Sequence, residues 1–315
     1  MKTTTGSAQT GAAVAMIIGS CVSLQFGAAT AVHLFGDLGS WGTTQLRLGF
    51  AALILTAIVR PSVRGWTRHQ WRSVVAFGVV LAAMNGCFYA AIERIPLGTA
   101  VAIEFLGPLI LSATLSRRRA DLLWVGLAFV GMVLLGVDSI VGTSTLDLVG
   151  VGFALSAALF WAGYIVASAR VGVAVPGTGG LAAALVVSTI VMLPLGGVAA
   201  APAFADWRIL AYAAATAVLA SLIPYTLELS ALRRIPKNVF GVLLSLEPAI
   251  AAAVGFVLLH QPVGILPAAA IAAVIAASIG TTTQSTVTGA AKRGRRVETP
   301  PADRSYRRYE TAAEN

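Results

Sequence analysis

Apolar residues in this chain fall into long, nearly unbroken runs separated by short polar or basic joints. A helix packed in water carries its apolar residues as a stripe, whereas a transmembrane helix is apolar all round over about 20 residues. Ten runs fit the second pattern, at about residues 11–34, 41–59, 73–92, 97–115, 122–137, 148–169, 181–198, 209–231, 239–259 and 263–280. The first is too long for the core of a cleaved signal peptide and holds Gln25 and His33, so it reads as a retained helix. The fifth is short and spans if its flanking residues snorkel. The pattern predicts an all-α polytopic membrane protein with ten transmembrane helices.

One stretch occurs twice. Residues 91–110, AIERIPLGTAVAIEFLGPLI, return 140 positions later as ALRRIPKNVFGVLLSLEPAI at 231–250. Without gaps, Ala91, Arg94, Ile95, Pro96, Leu106, Pro108 and Ile110 meet Ala231, Arg234, Ile235, Pro236, Leu246, Pro248 and Ile250. Apolar segments share Ala, Leu and Ile by chance, but two prolines and an arginine in register point to an internal duplication. The chain then divides into an N-terminal segment 1–10, a first five-helix repeat 11–138, a joining loop 139–147, a second repeat 148–280 and a polar, basic, disordered tail 281–315. Five spans per half, an odd number, force the second copy to insert upside down. Inverted repeats of this kind are a secondary-transporter architecture, with the site at the repeat interface near the midplane.

The charges orient the bundle. With the N-terminus in the cytoplasm, Arg60–Arg72, Arg117–Arg119, Arg170, Arg233–Lys237 and the tail all fall on the inner side. Of the 22 Lys and Arg, 19 then lie inside, Arg94 and Arg208 outside, and Arg47 within a helix. This satisfies the positive-inside rule and places both termini in the cytoplasm. The RPSVRGWTRHQWR segment, with Trp66 and Trp71 among its arginines, reads as a membrane-face loop with interfacial tryptophans, since it joins two spans.

Composition agrees with lipid as the solvent: 57% hydrophobic, 11% charged, and a mean hydropathy of +0.83. Soluble domains carry about a quarter charged residues. The net charge of +9 would suggest nucleic acid, but the basic residues sit in loops and tail as topology signals, so no nucleic-acid partner is expected. Cys21 and Cys87 fall inside apolar runs and read as reduced, buried thiols with no disulfide or metal site.

Ionisable groups inside spans cost about 2.5–3.5 kcal/mol each on insertion scales and are candidates for function. Arg47, Glu104, Glu228 and Glu247 are those candidates. Arg47 and Glu104 each lie about seven residues into their spans from the outer face, so both are roughly 10 Å deep. They form a structural ion pair, or one or both face a transport cavity. Pro108 and Pro248 each remove a helical amide, freeing the carbonyls of Glu104 and Leu244, and Pro224 interrupts the eighth span. A freed carbonyl beside a carboxyl group suits an ammonium ion, with a packing kink as the other reading. Glu228, near Arg233 and Arg234, reads as an interfacial ion-pair partner. Gln25, Asn85, Tyr89, Trp161, Tyr164 and Tyr225 are the uncharged cavity candidates; interhelical hydrogen bonds serve them equally well. Asn85 and Tyr225 stand at equivalent positions of the repeat. His33 and His260 lie near helix ends and read as solvated loop residues.

SLQFGAATAVHLF, TTQLRLGF, AMNGCFYAAIERIPLGTAVAIEFLGPL with its following SRRRAD, LIPYTLELSALRRIP and LLSLEPAIAA are the stretches through which the chain resembles the EamA-type drug/metabolite transporters, and within them the bacterial threonine/homoserine exporters. The resemblance covers about residues 14–285. It implies an inner-membrane carrier that exports small neutral amino acids in exchange for protons, with no cofactor. An EamA-type carrier for another metabolite or drug fits the same residues. Members commonly end helix nine with Gly-Glu, where this chain has His260-Gln261. A membrane-embedded transferase would need clustered aspartates or a His/Asp pair at a membrane face, and the chain offers neither. A channel would need a re-entrant filter segment, whereas every run here is long enough to span.

Overall fold

The computed structural model describes residues 4–115, 123–131, 133–134, 147–175, 177–232, 234 and 243–280. The basic turn 117–119, most of the loop 139–147 and the tail 281–315 lie outside them. In chain order the helices are α1 (Thr4–Val32), α2 (Phe35–Val59), α3 (Arg68–Ile92), α4 (Leu97–Glu104) and α5 (Leu106–Leu115). Residues 123–131 form α6. Then follow α7 (Leu148–Ala174), α8 (Gly179–Ala200), α9 (Trp207–Ala217), α10 (Ile223–Leu232), α11 (Glu247–Leu259) and α12 (Ile265–Gly280). A 3₁₀ turn, Ala201–Ala205, separates α8 from α9, and one π-helical stretch, Val218–Leu222, separates α9 from α10.

Among the described residues, six helices are long and apolar enough to cross a membrane: Gly11–Val32, Phe35–Val59, Arg68–Ile92, Leu148–Ala174, Gly179–Ala205 and Trp207–Glu228. Three more, Leu97–Leu111, Glu247–Leu259 and Ile265–Gly280, are apolar but shorter. The chain is thus an all-helical polytopic membrane protein in its described residues. The fourth and ninth apolar runs are shorter for a legible reason. The fourth breaks at Phe105, three residues before Pro108, and the ninth breaks at Ser245–Leu246, just before Pro248. The two breaks start 140 residues apart, the same offset as the repeated stretch.

Local chemistry sets several ends. Thr67 and Gln70 form a reciprocal capping box at the start of α3. Asp147 caps α7, accepting from the amides of Val149 and Gly150. The Val149 amide, followed by the Arg94 guanidinium at 3.1 Å, holds the exposed Asp147 carboxyl below its ordinary range. Gly39, with φ of +62°, lets α2 kink, and Glu93 accepts there from the Ser40 amide and hydroxyl at 3.1 and 2.7 Å. His33 and His260 are exposed, as expected, and Cys21 and Cys87 are free thiols, the first buried and the second half-buried.

The main core brings both copies of the repeated stretch together. Leu97, Ala100, Val101 and Ile103 of α4 pack in one cluster with Ala251 and Val254 of α11, joined by Ala28 and Ala31 of α1 and by Tyr89. Both broken helices therefore meet in the interior, beside α1.

Candidate functional site

Arg47 is the best-connected group inside. It lies on α2, 6% exposed, and donates from Nη1 to Asn85 Oδ1 at 2.8 Å. Asn85 is held in turn by its Nδ2 on the Leu81 carbonyl, 2.8 Å away and one helical turn back. Nη2 of Arg47 donates to the Ala220 carbonyl at 3.0 Å. Ala220 lies four residues before Pro224, which has no amide to offer it, and sits within the π-helical stretch. The same stretch exposes the Leu219 carbonyl, which accepts from Ser23 at 2.7 Å. The guanidinium also lies 5.0 Å from the centre of the Tyr89 ring.

Glu104 ends α4 at the break and is 9% exposed. It lies in the electrostatic field of both Arg47 and Glu247. The Arg47–Glu104 ion pair anticipated from sequence is not formed: among the described residues the one ion pair within 4.0 Å is Arg94–Asp147. Nor does Glu104 accept a hydrogen bond from any described residue. Burying a carboxylate without a partner is costly, so this position calls for a proton or a cation.

Glu247 begins α11 on the far side of the second break and accepts from Gln25 Nε2 at 3.1 Å. Three further buried atoms here, Gln25 Oε1, Arg47 Nε and the Tyr89 hydroxyl, make no hydrogen bond of good geometry, and the Tyr89 hydroxyl lies within the influence of the Arg47 guanidinium. Tyr89 and Gln25 are 0% and 1% exposed, so neither borrows water from the surface. Polar atoms without partners thus come from α1, α2 and α3, and the Glu104 carboxyl from α4.

Trp161 borders the break, its ring edge-on to Phe105 at 4.8 Å between centroids. Tyr164, one turn along α7, packs on Phe77. The side chain of Tyr225 lies outside the described residues. Glu228 meets Ser20, whose hydroxyl donates to it at 2.7 Å, and not a described arginine. Sequence reasoning missed Ser20, Ser23 and the Ala220 carbonyl. The last was findable, since the proline rule applied at Pro108 and Pro248 applies equally at Pro224.

Broken helices presenting carboxyl groups inside a bundle of membrane-length helices define a membrane transporter. The EamA-like transporter family matches residues 148–283. The threonine/homoserine exporter RhtA of Salmonella typhimurium strain LT2 is 40% identical over 263 residues, covering 82% of this chain and 88% of its own length. That of Escherichia coli strain K12 is 37% identical over 272 residues, with 85% and 90% covered. The chain belongs to the EamA-like transporter family. A crystal structure of another protein, 18% identical, covers 94% of this chain and 99% of its own with a TM-score of 0.50, a likeness of fold alone.

Proposed function

We propose that this protein exports small neutral amino acids of the threonine and homoserine type across the bacterial inner membrane in exchange for protons. The observation that carries the reading is Glu104, a residue nine-tenths buried whose carboxyl accepts no hydrogen bond from a described residue, at a helix break within the field of Arg47. An amino acid brings an ammonium group for Glu104 and a carboxylate for Arg47, whose Nε is uncommitted. In the empty carrier Glu104 takes a proton in place of the ammonium group. Substrate and proton then compete for one carboxyl, which is the simplest coupling an antiporter needs. Asn85, Ala220 and Pro224 hold the guanidinium for that task; Gln25, Tyr89 and Trp161 line the site. Glu247, Tyr164 and Tyr225 complete the candidate set.

The wider architecture belongs to the same proposal. Ten spans form two inverted five-helix repeats, 11–138 and 148–280, with both termini cytoplasmic, and alternating access rocks one repeat against the other. Helix breaks in the same register of the repeated stretch support this. The test is efflux of labelled threonine and homoserine from vesicles carrying the protein, with and without a proton gradient. Efflux of either, accelerated by the gradient, is expected. Movement of neither, at normal membrane levels, contradicts the substrate assignment and turns the search to another metabolite or drug.

A further inference from the structure

Three carboxyl groups lie in series along α1. Glu228 on α10 accepts from the fully buried Ser20 hydroxyl. Glu247 accepts from Gln25. Cys21 lies within electrostatic reach of both acids, Glu247 of Glu228, and Glu104 of Glu247. Ser20 and Gln25 are five residues apart on one continuous helix, which separates their levels by about 7.5 Å. The acids therefore step from the end of α10 toward the break at Phe105. No described cation comes within 4.0 Å of any of them. Neighbouring acids of low exposure repel one another's charge, which favours their holding protons among them.

Gln25 independently points to a mobile proton. Its Nε2 is on Glu247, and its Oε1 is left without a partner. An amide offers a donor at one end and an acceptor at the other in nearly the same shape. Turned one way it donates to a Glu247 carboxylate, and turned the other it accepts the O–H of a protonated Glu247 or of water.

We propose that Glu228, held by Ser20, is the inner-side proton acceptor of the transport cycle. The inference rests on the proton exchange proposed above and on the orientation that puts the end of α10 inside. In the step, carried by an intervening water, the O–H bond of Glu247 breaks as that water takes the proton and gives another to the Glu228 carboxylate, so one proton and one negative charge move in opposite directions. Glu228, half-buried where Glu104 and Glu247 are buried, then yields the proton to cytoplasmic water. Among the described residues, the polar and titratable groups facing it are Ser20 and Cys21 from α1 and Glu247 from the start of α11.

Glu228→Gln tests this, because it keeps an oxygen for the Ser20 hydroxyl and removes the titration. In proteoliposomes, labelled threonine counterflow at equal pH should stay within about twofold of wild type, while transport driven by an imposed pH gradient falls at least about tenfold, as for a lost proton-transfer group. Glu228→Asp, still titratable, should recover part of the gradient-driven rate. Gradient-driven transport at the wild-type rate in Glu228→Gln overturns the inference. Loss of counterflow with it also overturns it, since Glu228 is then a binding or folding residue. A wild type with counterflow but no response to the gradient fails the proton exchange itself, and one without counterflow fails the transport reading; either takes this inference with it.

Discussion

At Pro108, Pro224 and Pro248 the missing amide leaves the carbonyl four residues back without its helical donor. At Ala220 the structure shows what takes its place, the Arg47 guanidinium. Arg47 is thus fixed by an acceptor 173 positions away, a pairing no local pattern reveals. The buried acids and the prolines were legible in the sequence because each is a rare residue in an apolar run. The pairings were not: Asn85 and Gln25 stood out as cavity candidates and Ser20 not at all, but which charge each meets appears only when the fold brings them together. Pro224→Ala supplies an amide that competes for the Ala220 carbonyl. We expect it to raise the substrate concentration for half-maximal efflux several-fold, about 1 kcal/mol, the scale of one hydrogen bond. Concentration-dependent efflux measures it, and the maximal rate should change less.

Among the elements, the tight turn after α3 gathers the ends of four helices. Glu93 reaches Ser40 of α2, Arg94 reaches the cap of α7, and the Leu97 amide donates to Gln261 Oε1 at 3.0 Å. The last contact explains the departure at His260-Gln261. A glutamate there would offer the same oxygen to the first amide of α4, so glutamine keeps the cap and discards the charge. Gln261→Glu should therefore leave thermal stability near wild type, while Gln261→Leu, which strands the amide, should cost about 1–3 kcal/mol. Thermal unfolding in detergent checks both. The helix breaks were foreseeable from the prolines. The kink at Gly39 and the π-helical stretch were not, since small residues in an apolar run carry no signal of their own.

Across the whole molecule, sequence and structure agree on a polytopic helical bundle. Two of the three shorter helices, Leu97–Leu111 and Glu247–Leu259, lie at the breaks beside Pro108 and Pro248. The proposed inverted arrangement puts Arg64 in the cytoplasm. A cysteine introduced there, in a chain otherwise free of cysteine, should resist a membrane-impermeant thiol reagent added to intact cells and react once the cells are opened. Labelling in intact cells would remove both the orientation and the inverted repeat built on it.

The coupling at Glu104 is the claim on which the rest turns, and Glu104→Gln tests it most directly by keeping the shape and removing the titratable proton. The measurement is labelled threonine efflux from vesicles across a range of imposed pH gradients, at matched protein levels. The account predicts a variant that still binds substrate weakly and moves it down its own gradient, with efflux that no longer responds to protons. Efflux with the wild-type pH dependence would contradict it, leaving Glu104 a structural residue and moving the coupling site to Glu247.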